Sequence, residues 1–282
     1  MRRAIDLGLR CLTGGCLLAC LTISGGLIWA IVSRGWGALS LSFFTEQIAL
    51  VGAEGGILWN LVGTTILLVT AFLVCAPLAV ALTLLERVWM KHERARYWLK
   101  IGLYTANGLP SIVFGLFGFL VFVQWCGWGK SWLAGGLVLA MSMLPTVTIV
   151  LIERMAAIPQ RYIIAATGLG LNEEQLVWAV LLRQSWGGLI SGCLLGLARA
   201  AGETAPIMFT ATIFAGATLP RAVVESPVLT LPYHIFILAQ DSFAPGVGTK
   251  LWGAALVLLG LVFSMSLAAL PSRLRLHEES HV

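Results

Sequence analysis

Two charges of opposite sign sit inside an otherwise apolar stretch: Arg199 and Glu203, in the run Arg199-Ala200-Ala201-Gly202-Glu203-Thr204-Ala205-Pro206. One charged residue at the centre of a membrane span costs about 2.5–3.5 kcal/mol on insertion scales, so both need partners or water. Four positions apart on a helix they share a face, although positive-before-negative is the weaker order for such a pair. Two readings follow. The pair is a permanent, neutralised clamp between helices, or it faces a polar pathway. In the second reading the planar donors of the guanidinium suit an oxyanion, with Thr204 beside them. Gly202 and Pro206 then loosen the helix where the charges lie.

The remaining residues of chemical interest lead nowhere comparable. Gly129-Lys130-Ser131 resembles the end of a phosphate-binding P-loop, but the required first glycine falls at Gln124. No other stretch offers nucleotide-binding glycines, so an ATP-driven protein of this sequence must rely on another chain for the nucleotide. His92, His234, His277 and His281 show neither metal-ligand spacing nor a nucleophile arrangement. The six cysteines lie almost entirely within apolar runs and include no CxxC pair, which argues against a disulfide framework or zinc site. The expectation is therefore no catalytic residue, no metal, no cofactor bound by this chain, and no enzyme.

The elements that must position Arg199 and Glu203 follow from composition. Of 282 residues, 59% are hydrophobic and 11% charged, against roughly 45–50% and 25% in a soluble domain. Uncharged apolar stretches of about 20 residues, the length of one span, fall at 11–32, 57–85, 101–123, 132–152, 188–214 and 251–270; only the fifth holds charges. These predict an all-α membrane protein with six transmembrane helices. The start resembles a signal peptide, and Leu17-Leu18-Ala19-Cys20 loosely resembles a lipoprotein cleavage box. Five further spans make an uncleaved signal anchor sufficient. Of the 18 Lys and Arg residues, 13 fall on one side of these spans, four on the other, and Arg199 within a span. That asymmetry predicts both termini in the cytoplasm. It also explains the net charge of +5 without nucleic acid.

Two loops are long. The segment 153–186 holds Asn172 as an N-cap, Glu173 and Glu174 in the first turn, and Leu176, Val177, Val180 and Leu181 at helical spacing. It predicts a short amphipathic helix lying on the membrane or a partner. The outer segment 217–249 carries Pro220, Pro227, Pro232 and Pro245, which predicts a partly re-entrant or capping segment rather than a seventh span. In span five, Gly188, Gly192, Gly196 and Ala200 form a smooth strip, suited equally to a subunit interface or to packing within the bundle.

Five motifs in order resemble one family, the PstA-type permease subunits of bacterial phosphate-uptake ABC transporters. They are Gly55-Gly56-Ile57 with Gly63-Thr64, the stretch Leu109-Pro110-Ser111-Ile112-Val113-Phe114-Gly115-Leu116, Leu144-Pro145 with Glu153, the Arg199 to Pro206 run, and Leu231-Pro232 with Ile235-Phe236. The family's coupling loop reads E-A-A, three residues, G, nine residues, I-x-L-P. Ala165, Ala166, Gly170, Val180 and Leu182 fit that spacing, while Ile164 stands in place of the glutamate and Arg183 in place of the proline. The resemblance implies an ABC importer type I permease fold in the bacterial inner membrane. The first 50 residues would form an N-terminal span and outer loop, 51–272 the permease core with coupling loop 153–186, and 273–282 a cytoplasmic tail. It also implies a second homologous permease (PstC-like), an ATPase dimer (PstB-like) docked on the coupling loop and an extracytoplasmic phosphate-binding protein (PstS-like). Surrounding lipid completes the set. The residues alone also admit a secondary anion transporter or channel, a permease for another oxyanion, and a non-transporting assembly subunit.

Overall fold

The computed structural model describes residues 2–49, 54–213, 219–240 and 246–279. The chain opens with α1 (Arg2–Gly35) and a short α2 (Leu41–Thr45). A two-residue antiparallel pair follows, β1 (Ile48–Ala49) against β2 (Glu54–Gly55). Next come α3 (Leu58–Leu84), α4 (Glu93–Asn107), α5 (Ser111–Gly118), α6 (Trp132–Ala156), α7 (Gln160–Gly168) and α8 (Glu173–Leu176). The last four are α9 (Arg183–Ala201), α10 (Ala205–Thr210), α11 (Leu231–Gln240) and α12 (Val247–Glu279). Among the described residues, five continuous helices are long and apolar enough to cross a membrane, and α4 with α5 and its extension to Trp125 make a sixth, broken span. The protein is an all-α, six-span membrane bundle.

Helices in lipid gain no hydrophobic drive toward each other and associate by close packing, for which small residues are required. The core obeys this: Leu67, Ala71, Cys75 and Ala79 of α3 meet Leu139, Met143 and Val147 of α6 and Cys193 and Ala200 of α9. A Cβ on Gly136 would lie 2.5 Å from Thr70 Cγ2, and one on Gly135 would overlap Ala211. By contrast, Leu12, Leu17, Leu21 and Leu27 of α1 are exposed. That helix is tied on at its end, where Arg34 stacks 5.0 Å from the Trp252 ring of α12 and Gly35 abuts the Trp252 carbonyl.

Two expected spans are corrected. The stretch 101–123 is not one helix: α4 and α5 meet at a 95° bend. Pro110 lacks an N–H and disfavours helical backbone at Leu109, so Gly108 ends α4 with its N–H on Tyr104 and Thr105 carbonyls. The fifth span begins earlier and ends earlier than 188–214. It runs without a break from Glu173 to Ala201, including π-helical turns over Val177–Leu182. Asn172 does cap a helix, through a capping box with Gln175, but that helix is the start of the fifth span and not a separate amphipathic piece. The separate helix of loop 153–186 is α7. The segment 217–249 contains α11, whose 10 residues reach only about 15 Å, half a hydrocarbon core. Residues 217–218 and 241–245 of that segment, and Phe214, lie outside the described residues.

Candidate functional site

The site is built where two broken helices meet. The N–H of Gly202 closes α9 on the Arg199 carbonyl and that of Glu203 on the Ala200 carbonyl, leaving Gly202 to Thr204 as a hinge before α10. The axis of α5 crosses α10 there: a Cβ on Gly115 would lie 2.8 Å from Pro206 Cα. Lys130, from the sequence run that mimics a P-loop, caps the other end of α10 by donating to Met208 O (3.1 Å) and Thr212 O (3.3 Å). Ser131 caps α6 and donates its own N–H to Thr210 O. Thr204, half-buried, accepts the Met208 N–H on its backbone carbonyl.

Arg199 reaches two partners. Its Nε lies 3.5 Å from Glu203 Oε1, a long contact beside the ~2.9 Å of a good N–H···O bond. Its Nη1 donates to Asn107 Oδ1 at 3.1 Å, and Thr146 Oγ1 donates to that same oxygen at 2.7 Å. The Arg199 side chain remains 40% exposed and that of Glu203 15% exposed. Thr146 is the fifteenth of 25 residues in α6, about 21 Å from one end and 15 Å from the other. The cluster therefore sits near the middle of the span. Asn107 and Thr146 escaped the sequence reading; an amide immediately before Gly-Leu-Pro in an apolar stretch was the available signal.

The other candidate residues fall elsewhere. Gly188, Gly192 and Gly196 all face α6: Cβ atoms there would meet Arg154, Val150 (3.3 Å) and Met143 with Val147 (both 3.0 Å). The strip packs within the bundle. Ala165 is exposed and Ala166 buried on α7, and Gly170 follows at φ +78° with its N–H on the Thr167 carbonyl. Val180 and Leu182, both half-buried, belong to the fifth span, and Leu182 lines a cleft of about 700 Å³ beside Pro77, Trp89 and Trp178. Ile164, Leu169 and Trp178 are exposed at 65%, 81% and 74%, so this end of the bundle presents bare apolar side chains around the Gly170 turn.

A buried carboxylate went unanticipated at the same end. Glu86 is 2% exposed and pairs with Lys100 (3.2 Å) and Arg87 (3.3 Å), while Arg87 Nη2 also donates to Ile152 O.

Residues 76–276 match the family model described as the binding-protein-dependent transport system inner membrane component. The chain belongs to that family. It is a multi-pass inner-membrane component of a transport system. It is 28% identical over 270 residues to the probable ABC transporter permease protein YqgI of Bacillus subtilis, covering 91% of this chain and 90% of that one. It is 31% identical over 260 residues to the phosphate transport system permease protein PstA 1 of Mycobacterium tuberculosis, covering 86% and 80%. An inward-facing structure of the MetNI methionine ABC transporter superposes with a TM-score of 0.54 at 16% identity, over 77% of this chain and 94% of that one. That likeness carries the fold, the type I importer permease, and nothing of substrate.

Proposed function

We propose that this permease carries inorganic phosphate inward as one subunit of an ATP-driven importer. The observation that carries the reading is Arg199: a guanidinium near mid-span, 40% exposed, loosely held at a junction of two broken helices. Left facing lipid it opposes insertion. Covered by a homologous second permease across a water-filled path, it becomes an oxyanion ligand. The relatives named as phosphate permeases favour phosphate among oxyanions.

In this reading an ATPase dimer binds and hydrolyses ATP, docking on α7, Gly170 and the first turns of the fifth span around Ala165, Ala166, Val180 and Leu182. An extracytoplasmic binding protein delivers the anion. Both termini and the Arg-rich loops face the cytoplasm, consistent with Arg87, Arg154 and their neighbours gathering at the end opposite Lys130 and Lys250. ATP favours one of two arrangements of the spans only by binding the two with different affinity.

The test is uptake of radiolabelled phosphate, sulfate and molybdate by vesicles holding the full complex, with and without ATP. Phosphate uptake that requires ATP and the ATPase chain is expected. Uptake without either points to a secondary transporter and overturns the reading.

A further inference from the structure

Asn107 stands at an unusual junction. It is the last residue of α4, one position before the 95° bend, and its side chain joins three spans through one oxygen. Because a guanidinium only donates, the atom facing Arg199 must be the carbonyl Oδ1, and the Thr146 hydroxyl occupies the same acceptor. The 3.1 Å bond to Arg199 is shorter than the 3.5 Å contact with Glu203, so in this state the neutral amide is the closer of the two tethers. Two turns back along α4, Lys100 pairs with the buried Glu86, whose neighbour Arg87 bonds the Ile152 carbonyl near the end of α6. Seven residues at 1.5 Å each put the two contacts about 10 Å apart on one rigid helix. A shift of α4 at the Glu86 end therefore moves the acceptor that holds Arg199.

We propose that Asn107 is the positioning residue for Arg199. Its Oδ1 fixes the guanidinium at the bend of the third span, and a change in that bend passes the guanidinium from Asn107 to an arriving oxyanion. The inference rests on the reading of Arg199 as a pathway residue and adds to it how the residue is held and released.

The test exchanges the two groups around Arg199. In the assembled complex, Asn107→Asp and Glu203→Gln are compared singly and together, with Asn107→Leu as a variant of similar volume that lacks an acceptor. Uptake per assembled complex is expected to fall about tenfold in each single variant and in Asn107→Leu. The Asp/Gln double variant, which restores one carboxylate and one amide, is expected to recover to within about threefold of the unmodified protein. A purely structural asparagine gives additive losses and no recovery. Normal uptake by Asn107→Leu, or a double variant no better than its poorer parent, overturns the proposal. Running phosphate, sulfate and molybdate in parallel separates the two ideas. Recovery seen only with another oxyanion retains Asn107 and removes phosphate; phosphate uptake without recovery does the reverse; transport of none of them removes both.

Discussion

Gly115 and Pro206 lie so close that the hydrogen of the glycine is all the space allows; a Cβ would sit 2.8 Å from Pro206 Cα and 3.2 Å from the Ala205 carbonyl. Both residues belong to half-helices that follow a break, α5 after the bend at Pro110 and α10 after Gly202. Their contact makes the two second halves one unit, with α10 further pinned by Lys130 and Ser131. Asn107, the last residue of α4, and Arg199, in the last turn of α9, are joined separately by their own hydrogen bond. Arg199 thus lies on a seam between two units that each hold together.

Replacing Gly115 tests that seam. Backbone atoms oppose the added carbon, so neither helix can yield by a rotamer change, and overpacking of this kind costs about 1–3 kcal/mol. Gly115→Val is expected to lower the thermal stability of the purified complex and to cut uptake severalfold. Gly102→Val, at a glycine with open space around it, is the matched control and is expected to leave both unchanged. Equal behaviour of the two variants removes the crossing from the argument.

Topology is tested with single cysteines in a version lacking the native six. Ser226 is buried, its Oγ accepting the Arg221 N–H, so Val223, 54% exposed, is the better outer position. Thr167 on α7 is exposed at the opposite end. An impermeant thiol reagent added outside intact cells is expected to label Val223→Cys and spare Thr167→Cys. The reverse pattern inverts the orientation, and labelling of both breaks the six-span arrangement.

The number of spans, the presence of the pair at 199 and 203 and the hinge beside it were legible because each is a local property: hydropathy over 20 residues, a four-residue spacing, glycine and proline. The bend of the third span was missed because Leu109 and Pro110 are as apolar as their neighbours, so hydropathy runs straight through a backbone that cannot. The fifth span was cut short because Glu173, Glu174 and Arg183 counted as loop. Glu173 and Glu174 are exposed in the first turn of that helix, where charge costs little, and Arg183 is exposed ten residues after Glu173. The Asn107 to Thr146 and Asn107 to Arg199 bonds join positions 39 and 92 residues apart, and no local pattern encodes them.

Gly170 holds φ +78°, where any side chain with a Cβ is strained. Open space surrounds it, so Gly170→Val acts through backbone conformation alone and changes the angle between α7 and the fifth span. The variant is expected to reach the membrane in normal amount and to retain basal ATP hydrolysis in the complex, yet to lose most substrate-stimulated hydrolysis and uptake. Stimulation within twofold of the unmodified complex counts against this turn as the coupling element.

The decisive variants concern Arg199 and Glu203 themselves. A clamp and a pathway both predict damage when one charge is removed, because an unpaired charge in the membrane is costly whatever its role. They part when both are removed. A buried pair that only holds helices together tolerates replacement by neutral residues of similar size, often at no cost. The side chains here argue against that outcome: the ion pair is long at 3.5 Å, and the guanidinium is too open to solvent or a partner to serve as sealed packing. Arg199→Met with Glu203→Gln is therefore expected to assemble, judged by copurification with its partner chains, and to show at least a tenfold loss of anion uptake. Glu203→Gln alone leaves the guanidinium without its competing carboxylate, so anion release slows and turnover falls while anion remains bound longer. Near-normal uptake by assembled double-variant complexes would return the pair to a structural role and leave the pathway to be sought elsewhere in the bundle.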